Sequence, residues 1–155
     1  MPINPLRTNN LIDSCAFDPK YEPEASASVE IFQLANEGKF QLIVAHSTQK
    51  EIDHPNTPAW VKAEAQSRIY TLNVQLTANE LAVLAKIEAI LAGNGKVENI
   101  KQDAQHVFDA QKYGSYFITT DKRILLRAEQ LDRECTVSVL RPSEFLALVN
   151  HHSSR

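Results

Sequence analysis

Only two cysteines, Cys15 and Cys135, occur in the 155 residues, far apart and outside any paired-cysteine motif. That excludes a disulfide framework or zinc–thiolate site and fits a reduced, cytoplasmic protein whose thiols serve as packing residues. Long apolar runs are missing as well, since none approaches the roughly 20 residues that a membrane-crossing helix needs. The opening MPINPLRTNN lacks the apolar core of a signal peptide, so a soluble protein without a membrane partner is expected. Positive charge is in short supply too. A formal net charge of -3 argues against a protein that coats nucleic acid by bulk charge. A nuclease is not excluded, because an acidic cleft that binds cations lowers the total while local basic residues hold phosphates. Lys50, Lys62, Arg68, Lys122 and Arg123 are the candidates for that second role. No internal repeat or low-complexity segment is present.

What the chain does contain is alternation. Asn9 to Phe17 gives a short first strand that ends at Asp13, polar except for Leu11 and Ile12. Glu24 to Lys39 carries Val29, Ile31, Phe32, Leu34 and Ala35 at helical spacing, with Ser26 or Ser28 as caps and Gly38 as a stop. QLIVAH, 41 to 46, is a buried parallel-strand pattern, after which Ser47-Thr48 offers an N-cap and Glu51 falls in the first turn of a helix. Beyond the break at 54 to 58, two helical patterns predict a hairpin over 58 to 93. The first runs through Trp60, Val61, Ala65, Ile69, Tyr70 and Leu72, and the second has a core stripe of Leu81, Leu84, Ala85, Glu88 and Leu91. A helix follows Asp121 with Ile124, Leu125, Ala128 and Leu131 on one side, TVSVL at 136 to 140 is the last strand, and Pro142 starts a closing helix. Residues 1 to 155 therefore predict a single α/β domain, a three-layer α/β/α sandwich around a mostly parallel sheet.

The stretch from Asp103 to Asp121, DAQHVFDAQKYGSYFITTD, reads as helix, turn at Gly114, strand, acid. In a parallel sheet that places Asp121 at the carboxyl end of a strand, where open α/β folds bind ligands, with Asp103 on the neighbouring helix. At about 100° per residue, Ala104, Val107, Phe108 and Ala110 share one side with Asp103 at its edge. Asp109 points away and reads as a solvated charge, while His106 lies within reach of either acid.

Asp13, Glu51, Asp103 and Asp121 thus all fall at strand ends or at the start of helices facing that edge. Four uncompensated carboxylates in one cleft would raise each other's pKa and destabilise the fold. A hard divalent cation with oxygen ligands, Mg²⁺ or Mn²⁺, is the economical compensation, and such ions suit phosphodiester cleavage by an activated water.

LIDS at 11 to 14, S-x-x-x-E-I at 47 to 52, D-A-x-H at 103 to 106, A-x-x-x-G at 110 to 114 and Y-F-I-T-x-D at 116 to 121 together resemble the PIN-domain ribonucleases, in their compact bacterial form. The resemblance spans about residues 9 to 149. It implies that Asp13, Glu51, Asp103 and Asp121 are metal-binding catalytic carboxylates, and that Thr119 is a hydroxyl that orients them. Ser14 matches the small polar residue beside the first acid, whereas Cys15 stands where many members have Asn or Ser. The activity implied is a metal-dependent endoribonuclease, the toxin of a toxin–antitoxin pair or a free-standing enzyme, with RNA as substrate and an antitoxin and a homodimer as partners. Two other classes remain: a catalytically silent RNA- or protein-binding PIN fold, and an aspartate-phosphorylated protein of the receiver or haloacid dehalogenase type. The last normally needs a lysine by the acids, and the phosphatases an Asp-x-Asp where this chain has Asp13-Ser14-Cys15.

Overall fold

In the computed structural model, which describes residues 3–69, 71 and 74–154, four strands form one parallel sheet in the order β2-β1-β3-β4. They are β1 (Asn9–Ile12), β2 (Gln41–Ile43), β3 (Tyr116–Ile118) and β4 (Ser138–Leu140). Between and after them run α1 (Glu24–Asn36), α2 (Gln49–Ile52), α3 (Ala59–Gln66), α4 (Ala78–Ala92), α5 (Lys101–Tyr113), α6 (Lys122–Leu125), α7 (Ala128–Cys135) and α8 (Pro142–Ser153). The period of two along each strand sorts the side chains into two cores. Leu11, Ile43, Phe117 and Val139 face one way, into the layer of α4, α5 and α7. Ile12, Leu42, Tyr116 and Ile118 face the other way, into α1, α3 and α8. The expected three-layer α/β/α sandwich is the result. Among the described residues, no helix is long and apolar enough to cross a membrane.

The polar start of β1 is explained by its central place. Asn10 is buried, and its side-chain amide donates to the carbonyls of Pro5 at 3.0 Å and Gln41 at 2.9 Å, so its polarity is used where the strand needs donors. At this same end of the central strands, α5 hands over to β3 through Gly114. A Cβ there would lie 2.3 Å from the Asn9 carbonyl oxygen, so only glycine lets the helix end this close to β1.

Several expected details come out differently. The helices of the predicted hairpin over 58 to 93 separate: Val61 and Ala65 of α3 join one core, while Ile87, Ile90 and Leu91 of α4 join the other. Helix α3 stops at Gln66, and Ile69 turns extended to bridge Val44 beside β2, so apolar spacing beyond Gln66 served a strand edge. Tyr70 and Leu72 lie outside the described residues. Leu81 and Ala85 are exposed, and the buried stripe of α4 is set by Ile87, Ile90 and Leu91 instead. Val29 points to solvent, and Ser28 does not cap α1. Its buried hydroxyl donates to the Ala16 carbonyl at 2.6 Å, tying α1 to the turn after Asp13. The helix after Asp121 is two pieces, α6 and α7, with Ile124 and Leu131 buried.

Candidate metal centre

Parallel pairing brings the carboxyl ends of β1 and β3 side by side, and hydrogen bonding continues past both strands. The Asp13 amide donates to the Ile118 carbonyl at 2.8 Å, and the Thr119 amide to Leu140 at 3.0 Å. Asp13 and Thr119 are thereby fixed as neighbours. The Thr119 hydroxyl donates to Asp13 Oδ2 at 2.8 Å and accepts the Asp121 amide at 3.0 Å, so a single buried oxygen orients two of the four acids.

Glu51 arrives from the far side of β2. The chain leaves β2 through a short 3-10 turn, His46–Thr48, and α2 carries Glu51 back toward the sheet edge. There Ser14 donates to Glu51 Oε2, and His106 Nε2 lies 3.1 Å from Glu51 Oε1. Asp103, in the first turn of α5, is bound by Arg123 Nη2 at 2.9 Å, and the same nitrogen is 3.6 Å from Asp121. One oxygen of Asp121 also accepts the Arg123 amide at 2.9 Å, capping α6. The four predicted acids lie as two pairs, Asp13 with Glu51 around His106 and Asp103 with Asp121 around Arg123, and among the described residues only the first pair joins a group of ligand atoms close enough to share one ion.

The electrostatics follow from that division. Burial pushes the Asp13 carboxyl up and the Glu51 charge adds to this, against the pull of His106 and the Thr119 hydrogen bond. Asp103 is also raised, first by burial and then by the charge of Asp121, which Arg123 only partly offsets. Burial acts upward on Glu51 too, but hydrogen bonds from His106 and Ser14 outweigh it and hold Glu51 low. For His106 burial acts downward, yet Glu51, Asp13 and Asp103 together raise it. Among the described residues, these four carboxylates outnumber the two cations paired with them, Arg123 and His106. Asp13, Glu51 and His106 each bring one ligand-competent atom to within 4.8 Å of the others.

Sequence reasoning misplaced some neighbours of this site. Asp109 is not solvated. It is 1% exposed, with Oδ2 accepting from the Ser47 hydroxyl at 2.5 Å and Oδ1 from Gln105 at 3.2 Å. The helical wheel gave its direction correctly, but the 46–48 turn packs on that side of α5, so both flanks of the helix are covered. Ser47 and Thr48 make no side-chain cap on α2, Ser47 being committed to α5 instead. The available signal was the setting of Asp109, an acid flanked by Val107, Phe108 and Ala110. Cys15 is not a packing residue: it is exposed, with its sulfur 3.4 Å from both Asp13 Oδ2 and Thr119 Oγ1. Partial burial of the sulfur and the Asp13 charge push its thiol up to about 11 in the metal-free protein. Cys135 is buried.

Of the basic candidates, Arg123 lies at the acids. Arg68 does not: it pairs with Glu64 at 3.1 Å, donates to the Leu42 carbonyl at 3.2 Å and lies over Phe32, a structural role at the edge of the sheet. Lys122 is exposed, Lys62 is half-buried on α3, and the Lys50 side chain lies outside the described residues. No protein-family model matches the chain, and no curated protein matches it.

Proposed function

We propose that this chain is a metal-dependent endoribonuclease of the PIN type, hydrolysing RNA phosphodiester bonds at the acidic edge of its sheet. The observation that carries the reading is the meeting of Asp13, Glu51, Asp103 and Asp121, with Thr119 between two of them, at the carboxyl end of parallel strands. The donor set fits a divalent cation of the Mg²⁺ or Mn²⁺ kind, since carboxylate oxygens predominate and their charge is under-compensated. A bound cation supplies water of lowered pKa and charge stabilisation on the scissile phosphate.

The chain's own groups do the positioning. Thr119 holds the Asp13 carboxylate, Ser14 and His106 hold Glu51, and all three contacts are made before substrate arrives. Arg123 is 65% exposed at the rim, so a phosphate oxygen can take its guanidinium from Asp103 and Asp121 without disturbing the core. A phospho-aspartate mechanism is disfavoured by the same geometry. Among the described residues, the ion pairs at these four acids come from Arg123 and His106, not from lysine.

Within this reading the toxin of a toxin–antitoxin pair is the favoured biological setting, on the resemblance of the acid motifs to the compact bacterial PIN ribonucleases. Its partners would be an antitoxin covering the acids and a second copy lengthening the groove. A small neighbouring gene with a DNA-binding pattern would support the toxin assignment, and its absence would favour a free-standing ribonuclease. The activity itself is tested by incubating purified protein with RNA and Mg²⁺ or Mn²⁺, against EDTA and against Asp13→Asn and Asp103→Asn. Cleavage that needs the metal and both acids is expected; cleavage that survives EDTA or either variant would remove the proposed chemistry.

A further inference from the structure

Counting protons in the buried network at His106 narrows the kind of ion this cleft takes. Ser47 has one hydroxyl proton, and it goes to Asp109 Oδ2 at 2.5 Å because a carboxylate offers only lone pairs. The Ser47 oxygen, 2.9 Å from His106 Nδ1, must therefore accept from the ring, which places a proton on Nδ1. Gln105 holds the other oxygen of Asp109 at 3.2 Å, so the outer end of the chain of contacts cannot turn. Both His106 and Asp109 are 1% exposed, which leaves no bulk water to restore an alternative tautomer.

The consequence appears at the inner end. With Nδ1 protonated, a neutral ring presents a lone pair at Nε2, 3.1 Å from Glu51 Oε1. Two lone pairs at that separation repel unless something positive lies with them: in the metal-free protein a second ring proton donated to Glu51, and in a loaded protein the metal ion that would take that proton's place. Asp13 adds a third donor, all three atoms lying within 4.8 Å of one another. Metal-binding histidines ordinarily give their other ring N–H to a carboxylate or carbonyl, and here Ser47 passes that contact on to Asp109.

We propose that His106 Nε2 is a metal ligand beside Asp13 and Glu51, that Ser47 and Asp109 are positioning residues that fix its tautomer, and that the site therefore prefers a transition ion such as Mn²⁺ to Mg²⁺. Imidazole nitrogen suits transition ions, whereas Mg²⁺ favours carboxylate, phosphate and water oxygens. The inference rests on the metal-dependent reading above and adds to it a nitrogen donor and a metal preference.

Metal-free full-length protein titrated calorimetrically with Mn²⁺ and with Mg²⁺, followed by pulsed EPR of the Mn²⁺-loaded protein, provides the test. Mn²⁺ should bind at least about tenfold more tightly than Mg²⁺ and show the ¹⁴N coupling of a bound imidazole, lost in His106→Gln. Asp109→Asn and Ser47→Ala should keep the coupling but weaken Mn²⁺ by about tenfold, and Ser47→Ala remains informative where Asp109→Asn fails to fold. Mn²⁺ bound without ¹⁴N coupling would overturn the assignment of His106 even if Mn²⁺-dependent RNA cleavage persisted, leaving the nuclease reading intact. Unchanged Mn²⁺ affinity in a folded Ser47→Ala or Asp109→Asn would overturn the positioning role. Coupled Mn²⁺ with no cleavage of any RNA would uphold the site and defeat the nuclease reading.

Discussion

Asp13 and Glu51 on one side of the cleft, and Asp103 and Asp121 on the other, carry the same charge but are held by different means. The first pair is fixed by buried or half-buried groups, the Thr119 and Ser14 hydroxyls and the His106 ring, none of which leaves easily. The second pair is held by the guanidinium of Arg123, which is mostly in water and pays a flexible side chain's entropy to be there. On the proposed reading, the buried half would hold a cation in a preorganised frame, while the exposed half could exchange its partner for one. A cleft that had to keep a metal and release a product would gain from this asymmetry.

The strongest way to break the comparison is to remove one acid from each half. Asp13→Asn should lower metal-dependent RNA cleavage by about a thousandfold, the equivalent of several kcal/mol of charge stabilisation. Asp121→Asn, which keeps the backbone amide bond to Thr119, should lose only about 10- to 100-fold. Equal losses in kcat/KM would show that the two halves contribute alike.

A change that strikes both halves together comes next. Gly114→Ala forces a methyl against the Asn9 carbonyl, where β1 and α5 meet, and the carbonyl belongs to backbone that cannot step aside. A loss of about 1–3 kcal/mol in urea denaturation is expected. A neutral result would mean that the first strand can shift without moving Asp13.

Stability against pH separates the acids within the buried half. Asp13 is raised in the folded state, chiefly by burial, so above the ordinary aspartate range the folded protein has held its proton longer than the unfolded chain. Stability of the metal-free protein therefore falls as pH climbs through that interval. Glu51 has the opposite sign: held low by His106 and Ser14 against burial, it contributes stability above its unfolded pKa that is lost as pH drops. Asp13→Asn should consequently stabilise the metal-free protein at neutral pH, by on the order of 1 kcal/mol in thermal melts, while removing its metal response. A destabilised variant would mean that the Thr119 and Cys15 contacts outweigh the burial cost.

The smallest effect is predicted at the rim. Arg123→Ala removes a pair that is largely in water, so the metal-free protein should lose less than about 1 kcal/mol. Metal affinity should hold or rise, because Asp103 and Asp121 no longer have a competitor. A large drop in affinity by calorimetry would make Arg123 part of the buried framework and erase the distinction.

Much of this was readable along the chain. The alternation of strands and helices, Gly114 as the end of α5, and Asp13 and Asp121 at or just after strand ends are local properties set by periodicity and chain stiffness, whereas β2 ends at Ile43, short of the expected 46, and Glu51 follows it only after the 3-10 turn His46–Thr48. The fate of Asp109 was not. A helical wheel fixes the direction of a side chain but not how many layers surround the helix, and only the packing of the 46–48 turn on α5 turns a solvated acid into a buried one. The same limit applies to Ser47, which has the right chemistry for a cap but spends its hydroxyl on a partner 62 residues away. It applies also to the pattern over 58 to 93, where apolar stripes show that helices are covered without showing by what.

By itself the sequence determined the class of fold and the positions of the acids, because both follow from short-range patterns that survive in an isolated segment. Only the tertiary structure decided how those acids divide, which of them share His106 and which share Arg123. Pairing of groups distant in sequence depends on sheet register and on the layer packed behind each helix, and these are settled when the whole chain excludes water from its two cores.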